Sequence, residues 1–183
     1  MSDETWQVTF RVYRKKVDQP ARFDTFKLQV NPDEYVLDAI ERIWAFHDRS
    51  LTFRHACHHS TCGACGMRVN SIEKLTCITL LRDVATDGAT VTIEPMRNFP
   101  ILGDLVVDMG QFLRHMEAVH HPVTVLLDEA PDTSEETIYE DEDAPPELTR
   151  LVDCIECGLC MSACPVMLTD PDYLGPAVLA AAQ

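Results

Sequence analysis

Cys154-Ile-Glu-Cys157-Gly-Leu-Cys160-Met-Ser-Ala-Cys164-Pro165 places four thiols at the spacing C-x2-C-x2-C-x3-C-P. This spacing is typical of bacterial iron-sulfur proteins, in which three cysteines converge on one 4Fe-4S cluster and the fourth commonly binds a different cluster. A structural zinc site would instead need two C-x2-C pairs set about a dozen or more residues apart. The stretch has no such pairs, so it predicts iron-sulfur ligands. Its cysteines are expected to bind two different clusters.

A second group of cysteines lies earlier, in Cys57-His-His-Ser-Thr-Cys62-Gly-Ala-Cys65, and Cys77 follows after eleven residues. The pattern C-x4-C-x2-C…C is the plant-type 2Fe-2S spacing. Small residues beside the thiols would let backbone N–H groups approach the sulfides of a cluster; they are Gly63, Ala64 and Gly66. Zinc, or a redox-silent set of buried thiols, is the alternative interpretation.

Histidines between these cysteines suggest a Rieske centre, in which two histidines replace two cysteines on one iron. His58 and His59 supply one half of that pattern, but no second Cys-x-x-His pair follows, and four cysteines already complete a site. We expect both histidines to form a polar rim on the loop, where hydrogen bonds can tune a potential. His115, His120 and His121 are expected to be surface or capping residues near a helix end.

The charge of the chain is unevenly distributed. The 183 residues carry a formal net charge of -15, and ten acidic side chains lie between Asp128 and Glu147 without any Lys or Arg. This stretch also contains three prolines, so we predict a solvated acidic loop over residues 128–147. Nucleic acid is excluded as a partner, because phosphate backbones require clustered Lys and Arg.

The N-terminus indicates a cytosolic origin. Met-Ser-Asp-Glu-Thr-Trp-Gln has neither the positive region nor the apolar core of a signal peptide. No apolar run approaches the roughly 18 residues needed to cross a bilayer. Eight cysteines in such a chain favour metal or catalytic roles over disulfides.

Alternation of apolar and polar residues predicts the strands. They cover residues 6–13, a stretch ending at Val30 and residues 89–94, and a hairpin around Asn70-Ser71 leads to a strand that carries Cys77. The inward-facing side chains are Val8, Phe10, Val12, Phe26, Leu28, Val30, Val91 and Ile93. A β-rich first domain therefore closes near residue 102.

Helices are predicted from capping signals and apolar stripes. One begins with Asn31 as N-cap and Pro32 at the first helical position. Its apolar stripe is Val36, Ile40, Ile43 and Trp44. Another covers Asp104 to His120, with Leu105, Met109, Phe112, Leu113 and Met116 on one face. A last helix starts at Gly175-Pro176.

Taken together, these stretches resemble the iron-sulfur subunit of succinate dehydrogenase and fumarate reductase over nearly the whole chain. The resemblance rests on both cysteine groups, on Leu75-Thr-Cys77, on Asp104-Leu-Val-Val-Asp-Met109 with Phe112, and on Gly175-Pro-Ala-Val-Leu. Two cysteine motifs in this order, joined by a central helix, are more specific than either motif alone.

The resemblance implies an α+β fold. An N-terminal β-grasp domain like plant-type 2Fe-2S ferredoxins would cover residues 1–102, and an all-helical domain like bacterial ferredoxins would cover residues 103–183. The implied ligands are Cys57, Cys62, Cys65 and Cys77 for the 2Fe-2S cluster, Cys154, Cys157 and Cys160 for the 4Fe-4S cluster, and Cys164 for a 3Fe-4S cluster.

The resemblance also implies a function in electron transfer. Electrons would pass between the FAD of a flavoprotein subunit and a quinone at membrane anchor subunits, with or without haem b. The chain would be a subunit of an oxidoreductase in the respiratory chain and the tricarboxylic acid cycle, with no substrate chemistry of its own. Partner subunits would hold it peripherally on the cytoplasmic side of the inner (cell) membrane.

Two features depart from the family pattern. The family takes further cluster ligands from a later cysteine motif, and no cysteine follows Cys164 in these 183 residues. Either the sequence is a fragment, which the unfinished helix at Gln183 favours, or Cys164 closes a single 4Fe-4S cluster. Tryptophans that many members carry after the Cys-Pro pair are replaced by Val166-Met-Leu-Thr-Asp170.

Two other functions fit the same motifs. A soluble two-cluster carrier, similar to a fused ferredoxin, would dock transiently through its acidic loop, since an acidic surface steers fast encounters. A subunit of a thiol-linked fumarate reductase is the other alternative. Cofractionation with membranes and a large flavoprotein would exclude the carrier.

Overall fold

The computed structural model describes residues 4–119, 154–170 and 172–182. Its strands are β1 (Trp6–Arg14), β2 (Arg22–Val30), β3 (Gly66–Val69), β4 (Ile72–Leu75), β5 (Thr90–Glu94), β6 (Ile101–Gly103) and β7 (Val106–Val107). Its helices are α1 (Val36–Phe46), α2 (Gly110–Ala118), α3 (Leu159–Ala163) and α4 (Pro176–Ala181), with 3-10 turns at Leu81–Asp83 and Val166–Leu168.

Five strands form one mixed sheet in the order β2-β1-β5-β3-β4. β1 pairs antiparallel with β2 and parallel with β5, while β3 pairs antiparallel with β4 and β5. Alternation along β1 puts Val8, Phe10 and Val12 in the core with no exposed surface. The strands predicted over residues 6–13 and 89–94 are confirmed, as is the hairpin at Asn70-Ser71.

Helix α1 packs on the sheet through three of the four residues of the predicted apolar stripe. Val36, Ile40 and Ile43 are fully buried, which contributes about 1.5–3 kcal/mol for each side chain. Trp44 was predicted in that stripe but is 38% exposed, with the Arg49 guanidinium 4.0 Å from its ring. The predicted start at Asn31 is also wrong, because the Asn31 side chain accepts the N–H of Asp33 (2.8 Å) in a turn.

The helix predicted from Asp104 begins at Gly110 instead. Residues 101–107 form the hairpin of β6 and β7, and Leu105 packs into the core of the main sheet. Cys77 was predicted on a strand and lies in the turn that follows β4. Asp104 draws the hairpin inward, because its buried carboxylate accepts the N–H groups of Lys15 and Thr52, each at 2.9 Å.

A buried charge cluster surrounds Arg14, which has no exposed surface. Its guanidinium lies 2.5 Å from the Asp48 carboxylate and 3.3 Å from that of Asp104, and Lys16 lies 2.7 Å from Asp104. Hydrogen bonds from Arg14 and Ser50 hold the pKa of Asp48 well below its usual range. This charge cluster ties β1 to the segment that leads into the first cysteine loop.

Opposing effects act on the other groups of this charge cluster. Burial alone would raise the pKa of Asp104, but hydrogen bonds from Lys16, Thr52 and Lys15 and the charge of Arg14 outweigh it and lower that pKa. Burial likewise disfavours the charged form of Arg14, and the Asp48 and Asp104 carboxylates reverse this and raise its pKa. Both carboxylates and the guanidinium are therefore held in their charged forms.

The second half of the described chain packs around a smaller core. Phe112 and Met116 of α2 meet Met161 of α3 and the first turn of α4, whose buried residues are Ala177 and Val178. Leu113 was predicted on the buried face of α2 but is 42% exposed. The elements of this part are three short helices and a 3-10 turn, and its assignment as a bacterial-ferredoxin-like domain stays a prediction.

Several predictions concern residues outside the described ranges. The acidic loop over 128–147, His120 and His121 belong to this group. Among the residues that the structure does describe, none of the helices has the length and apolar character required to cross a membrane.

Candidate iron-sulfur sites

The first cysteine loop, residues 57–65, connects the α1 region to β3 and folds around its own first thiol. The N–H groups of Cys62 and His59 point at the Cys57 sulfur, at 3.4 and 3.5 Å. These hydrogen bonds, with His59 contributing most, lower the pKa of the Cys57 thiol to about 6. The loop therefore favours the thiolate, which is the form that binds metal.

Two further thiols of this site are buried under the loop. Cys65 and Cys77 are each 2% exposed and pack with Leu37 and Phe53. Burial first, and then the hydrogen-bonded Cys65 thiol, raise the pKa of the Cys77 thiol to about 11. Because burial and the Cys65 thiol disfavour ionisation of Cys77, a bound cation would be needed to hold Cys77 as a thiolate.

The four sulfurs of the first site converge. Cys57 contacts Cys62, Cys65 contacts Cys77, and the charge of Cys57 acts on Cys77. All eight cysteines of the chain are free thiols in the structure. Four convergent thiols joined by a loop of small residues fit the ligand set of a 2Fe-2S cluster.

The second cysteine loop gathers three thiols before α3. The pKa of Cys160 is raised first by desolvation of its sulfur and then by the charges of Cys157 and Cys154. Gly158 turns the chain between them with a φ of +76°, where any side chain would press on Met109 and Phe99. Cys164 follows at the C-terminal end of α3, and the structure thus brings Cys154, Cys157 and Cys160 together.

The two cysteine loops touch each other through their backbones. A Cβ atom placed on Gly63 would lie 2.6 Å from the Cys157 Cβ and 2.7 Å from its Cα. Gly63 also has a φ of +68°, in the left-handed region that favours glycine. Gly63 follows one predicted ligand of the first cluster, and Cys157 is a predicted ligand of the second. The backbone at Gly63 and Cys157 therefore separates the two predicted cluster sites.

A set of hydrogen bonds, here called the polar latch, holds the second loop against the sheet. The Asn98 amide donates to the backbone carbonyls of Met161 and Cys164 at 2.8 and 3.0 Å. The fully buried Ser162 hydroxyl accepts the Arg97 N–H and donates to the Glu73 carboxylate, each at 2.9 Å. Sequence reasoning missed these residues, because their partners lie 63 or more positions away.

Histidines flank the first loop. His58 and His59 are both exposed, as expected of a rim, and the tuning of a potential by them stays a prediction. His58 meets two residues that the sequence did not single out, His55 and Glu41, and the ligating atoms of the three lie within 4.8 Å of one another. His115 lies half-buried in the last turn of α2.

Comparison with known proteins finds a matching family and several relatives. Residues 9–114 match the family described as "2Fe-2S iron-sulfur cluster binding domain". The fumarate reductase iron-sulfur subunit of Mycobacterium tuberculosis is 38% identical over 174 residues, 93% of this chain and 68% of the relative. That of Haemophilus influenzae is 35% identical over 179 residues, 93% of this chain and 69% of the relative.

A solved structure agrees with these relatives. A chain of the Mycobacterium smegmatis Sdh1 complex in the apo form superposes with a TM-score of 0.79 and 27% sequence identity. The match covers 95% of this chain and 72% of the other. With the two cysteine loops in the order described, the chain belongs to the family of iron-sulfur subunits of fumarate reductase and succinate dehydrogenase.

Proposed function

We propose that this chain is the electron-transfer subunit of a succinate dehydrogenase or fumarate reductase complex, and that it passes electrons between a flavoprotein FAD and a membrane quinone. The contact between Gly63 and Cys157 carries the proposal, because it brings the two cysteine loops to van der Waals distance. A structural role for either loop would not require this contact. Adjacent redox sites gain from it, since electron transfer slows steeply with distance.

In this proposal the first loop holds a 2Fe-2S cluster through Cys57, Cys62, Cys65 and Cys77. Convergence of the four sulfurs and the N–H groups aimed at Cys57 support these ligands. Burial of Cys65 and Cys77 would keep water from the inner side of the cluster, and burial is one of the protein's means of setting a potential.

The second loop supplies Cys154, Cys157 and Cys160 to a 4Fe-4S cluster. Cys164 is either a ligand of a neighbouring 3Fe-4S cluster or the fourth ligand of the same cluster. The mutual influence of the first three thiols supports the grouping, and the C-x3-C-P spacing supports a separate role for the fourth.

Iron-sulfur clusters, when bound, accept one electron at a time, whereas a flavin can release two. The chain's own residues would bind the clusters, exclude water from Cys65 and Cys77, and fix the loops through the polar latch. Succinate or fumarate chemistry would take place on the flavoprotein. Membrane anchor subunits, with or without haem b, would hold the complex on the cytoplasmic side of the inner membrane.

Electron paramagnetic resonance on the anaerobically purified native complex tests this proposal, with spectra of the oxidised and then the reduced state. We expect a 3Fe-4S signal in the oxidised state and 2Fe-2S and 4Fe-4S signals after reduction. If the 2Fe-2S and 4Fe-4S signals appear without a 3Fe-4S signal, Cys164 is assigned to the 4Fe-4S cluster, and the proposed path has no 3Fe-4S cluster. Absence of a 2Fe-2S signal, or purification without a flavoprotein, would overturn the proposal.

A further inference from the structure

A cluster of two histidines and a glutamate lies beside the first cysteine loop and outside both cysteine sets. Glu41 projects from α1, His55 comes from the segment that enters the loop, and His58 lies within the loop next to Cys57. The His55 Nδ1 atom is 3.1 Å from the Glu41 Oε1 atom and 3.2 Å from the His58 Nε2 atom. The His58 Nε2 atom is 3.3 Å from the same Glu41 oxygen. Three ligating atoms thus form a nearly equilateral triangle.

Hydrogen bonding alone does not satisfy this triangle. A carboxylate only accepts, and each of the two imidazole nitrogens carries at most one proton. If both nitrogens donate to Glu41, their N–H groups face each other across the 3.2 Å edge between His55 and His58. If only one donates, the lone pair of the other nitrogen faces the carboxylate. A cation at the centre would accept a lone pair from all three atoms.

The size of the triangle matches a four-coordinate divalent ion. Zn²⁺ binds histidine nitrogen and carboxylate oxygen at about 2.0–2.2 Å, which separates its ligand atoms by about 3.3–3.6 Å at the tetrahedral angle. The 3.3 Å edge reaches this range, and the 3.1 and 3.2 Å edges are slightly shorter. The side chains are 31–43% exposed, so a water molecule can complete the coordination.

Neighbouring residues hold the ligands in place. The Phe53 ring stacks on the His55 imidazole, with centroids 5.1 Å apart and an interplanar angle of 19°. The His58 ring meets the His55 ring edge-on at 5.3 Å and 87°. Two imidazoles and one carboxylate favour zinc and similar transition metals over Ca²⁺ or Mg²⁺, which prefer oxygen ligands.

We infer that Glu41, His55 and His58 form a binding site for one Zn²⁺ or a similar divalent transition-metal ion, separate from the iron-sulfur sites. The three side chains supply one negative charge when both imidazoles are neutral, and the donors belong to neither cysteine set. The site adjoins Cys57 along the chain, so an ion there would add positive charge next to the first cluster.

The test uses the cluster-loaded complex, in which the cysteines are occupied by iron. Zinc per chain is measured after equilibration with Zn²⁺ and gel filtration, for the parent protein, Glu41→Gln and His55→Gln. His47→Gln is the matched control, because it removes another exposed imidazole outside the triangle. We expect each triangle variant to lose one zinc or to bind it at least about tenfold more weakly, since loss of even an outer partner costs about 10–100-fold.

X-ray absorption at the zinc edge identifies the ligands independently of any change in folding. We expect a shell of nitrogen and oxygen alone, with unchanged iron content. Equal zinc in the parent and both triangle variants would overturn the inference. A zinc–sulfur shell near about 2.3 Å, or zinc uptake matched by iron loss, would also overturn it, because the ion would then occupy the cysteines.

Discussion

Residues 57–77 and residues 154–164 both gather cysteines, but the fold holds them in different ways. The first region is enclosed by paired strands and α1, and the buried charge cluster of Arg14 fixes the segment that leads into it. The second region has one five-residue helix, and side chains from residues 73–98 hold it in place. The second site therefore depends on the first for its position, whereas the reverse dependence is weaker.

Replacing a predicted ligand of one cluster should show the largest difference between the two regions, because only that cluster should be lost. We expect Cys62→Ser to abolish or distort the 2Fe-2S signal, because an alcohol is a poor substitute for a thiolate ligand. The cluster of the second loop should remain, since its ligands come from other residues. Iron content and paramagnetic resonance spectra are the measurements. Spectra and iron content equal to those of the parent would show that Cys62 is not a ligand.

The buried charge cluster beside the first region is tested by Arg14→Met. Removing Arg14 takes one of the two cationic partners from the buried Asp104 carboxylate and leaves Lys16 as the other. We therefore expect a loss toward the lower end of the roughly 3–5 kcal/mol of unfolding free energy that breaking a buried ion pair costs. Denaturant unfolding measures the change. Arg22→Met is the control, because Arg22 forms an exposed pair with Asp24 at 2.9 Å and such pairs contribute about 0–1 kcal/mol. Equal effects of the two substitutions would contradict the role given to Arg14.

The contact between the loops is tested by Gly63→Ala against Gly88→Ala. Both glycines have positive φ, at +68° and +78°, but a Cβ at Gly88 meets nothing within 4 Å. The backbone cost of about 1–2 kcal/mol should be common to both. Gly63→Ala should cost about 1–3 kcal/mol more, because its methyl group overlaps Cys157.

The same pair of variants also bears on electron transfer. Gly63→Ala should weaken the magnetic interaction between the two reduced clusters, since the loops must move apart to accept the methyl group. Gly88→Ala should leave that interaction unchanged. If both variants behave alike, the two loops do not touch at Gly63.

A smaller effect is expected from the polar latch. Ser162→Ala removes the hydroxyl between Arg97 and Glu73 and leaves two part-buried polar groups without it, at a cost of about 1–3 kcal/mol. Thr169→Val is the control, because it removes an exposed hydroxyl from the same region. Thermal unfolding should show a lower melting temperature for Ser162→Ala and an unchanged one for Thr169→Val. The 2Fe-2S spectrum should stay the same in both variants. A changed 2Fe-2S spectrum would show that the first region also depends on the second.

Acid should affect the first region through Asp48 and Asp104. Their folded-state pKa values are lowered, so their contribution is present above the unfolded pKa of about 3.9 and is lost as pH falls through the folded values. We expect a loss on the order of 1 kcal/mol from Asp48 between about pH 5 and 3, and a further loss in the same direction from Asp104. Arg14→Met should flatten this dependence. Parallel pH profiles for the parent and the variant would contradict it.

The sequence predicted the features that depend on local spacing. Alternation at Val8, Phe10 and Val12 located β1, and cysteine spacing located both loops. Local signals failed where a polar side chain had a distant partner. Asn31 has the features of an N-cap but closes a turn before the helix. Asp104 has the features of a helix start but is buried, where its carboxylate accepts the N–H groups of Lys15 and Thr52.

The remaining parts of the site could not be predicted, because they depend on how distant segments meet. Asn98 and Ser162 are unremarkable in the sequence, and their roles follow from the packing of α3 against residues 73–98. Glu41 and His55 are 14 positions apart, on a helix and a loop. Only the crossing of the loop over α1 brings their ligating atoms together.

The position of β5 has a consequence for how the protein folds during synthesis. This strand is the last of the five in the chain but lies at the centre of the sheet, between β1 and β3. Until the ribosome has released Glu94, the backbone N–H and C=O groups on the facing edges of β1 and β3 lack a partner, and unpaired edges promote aggregation. All four cysteines of the first site are translated before that point. A nascent chain that stalls before Thr90 would therefore expose thiols and strand edges together, which makes it a strong candidate for chaperone capture.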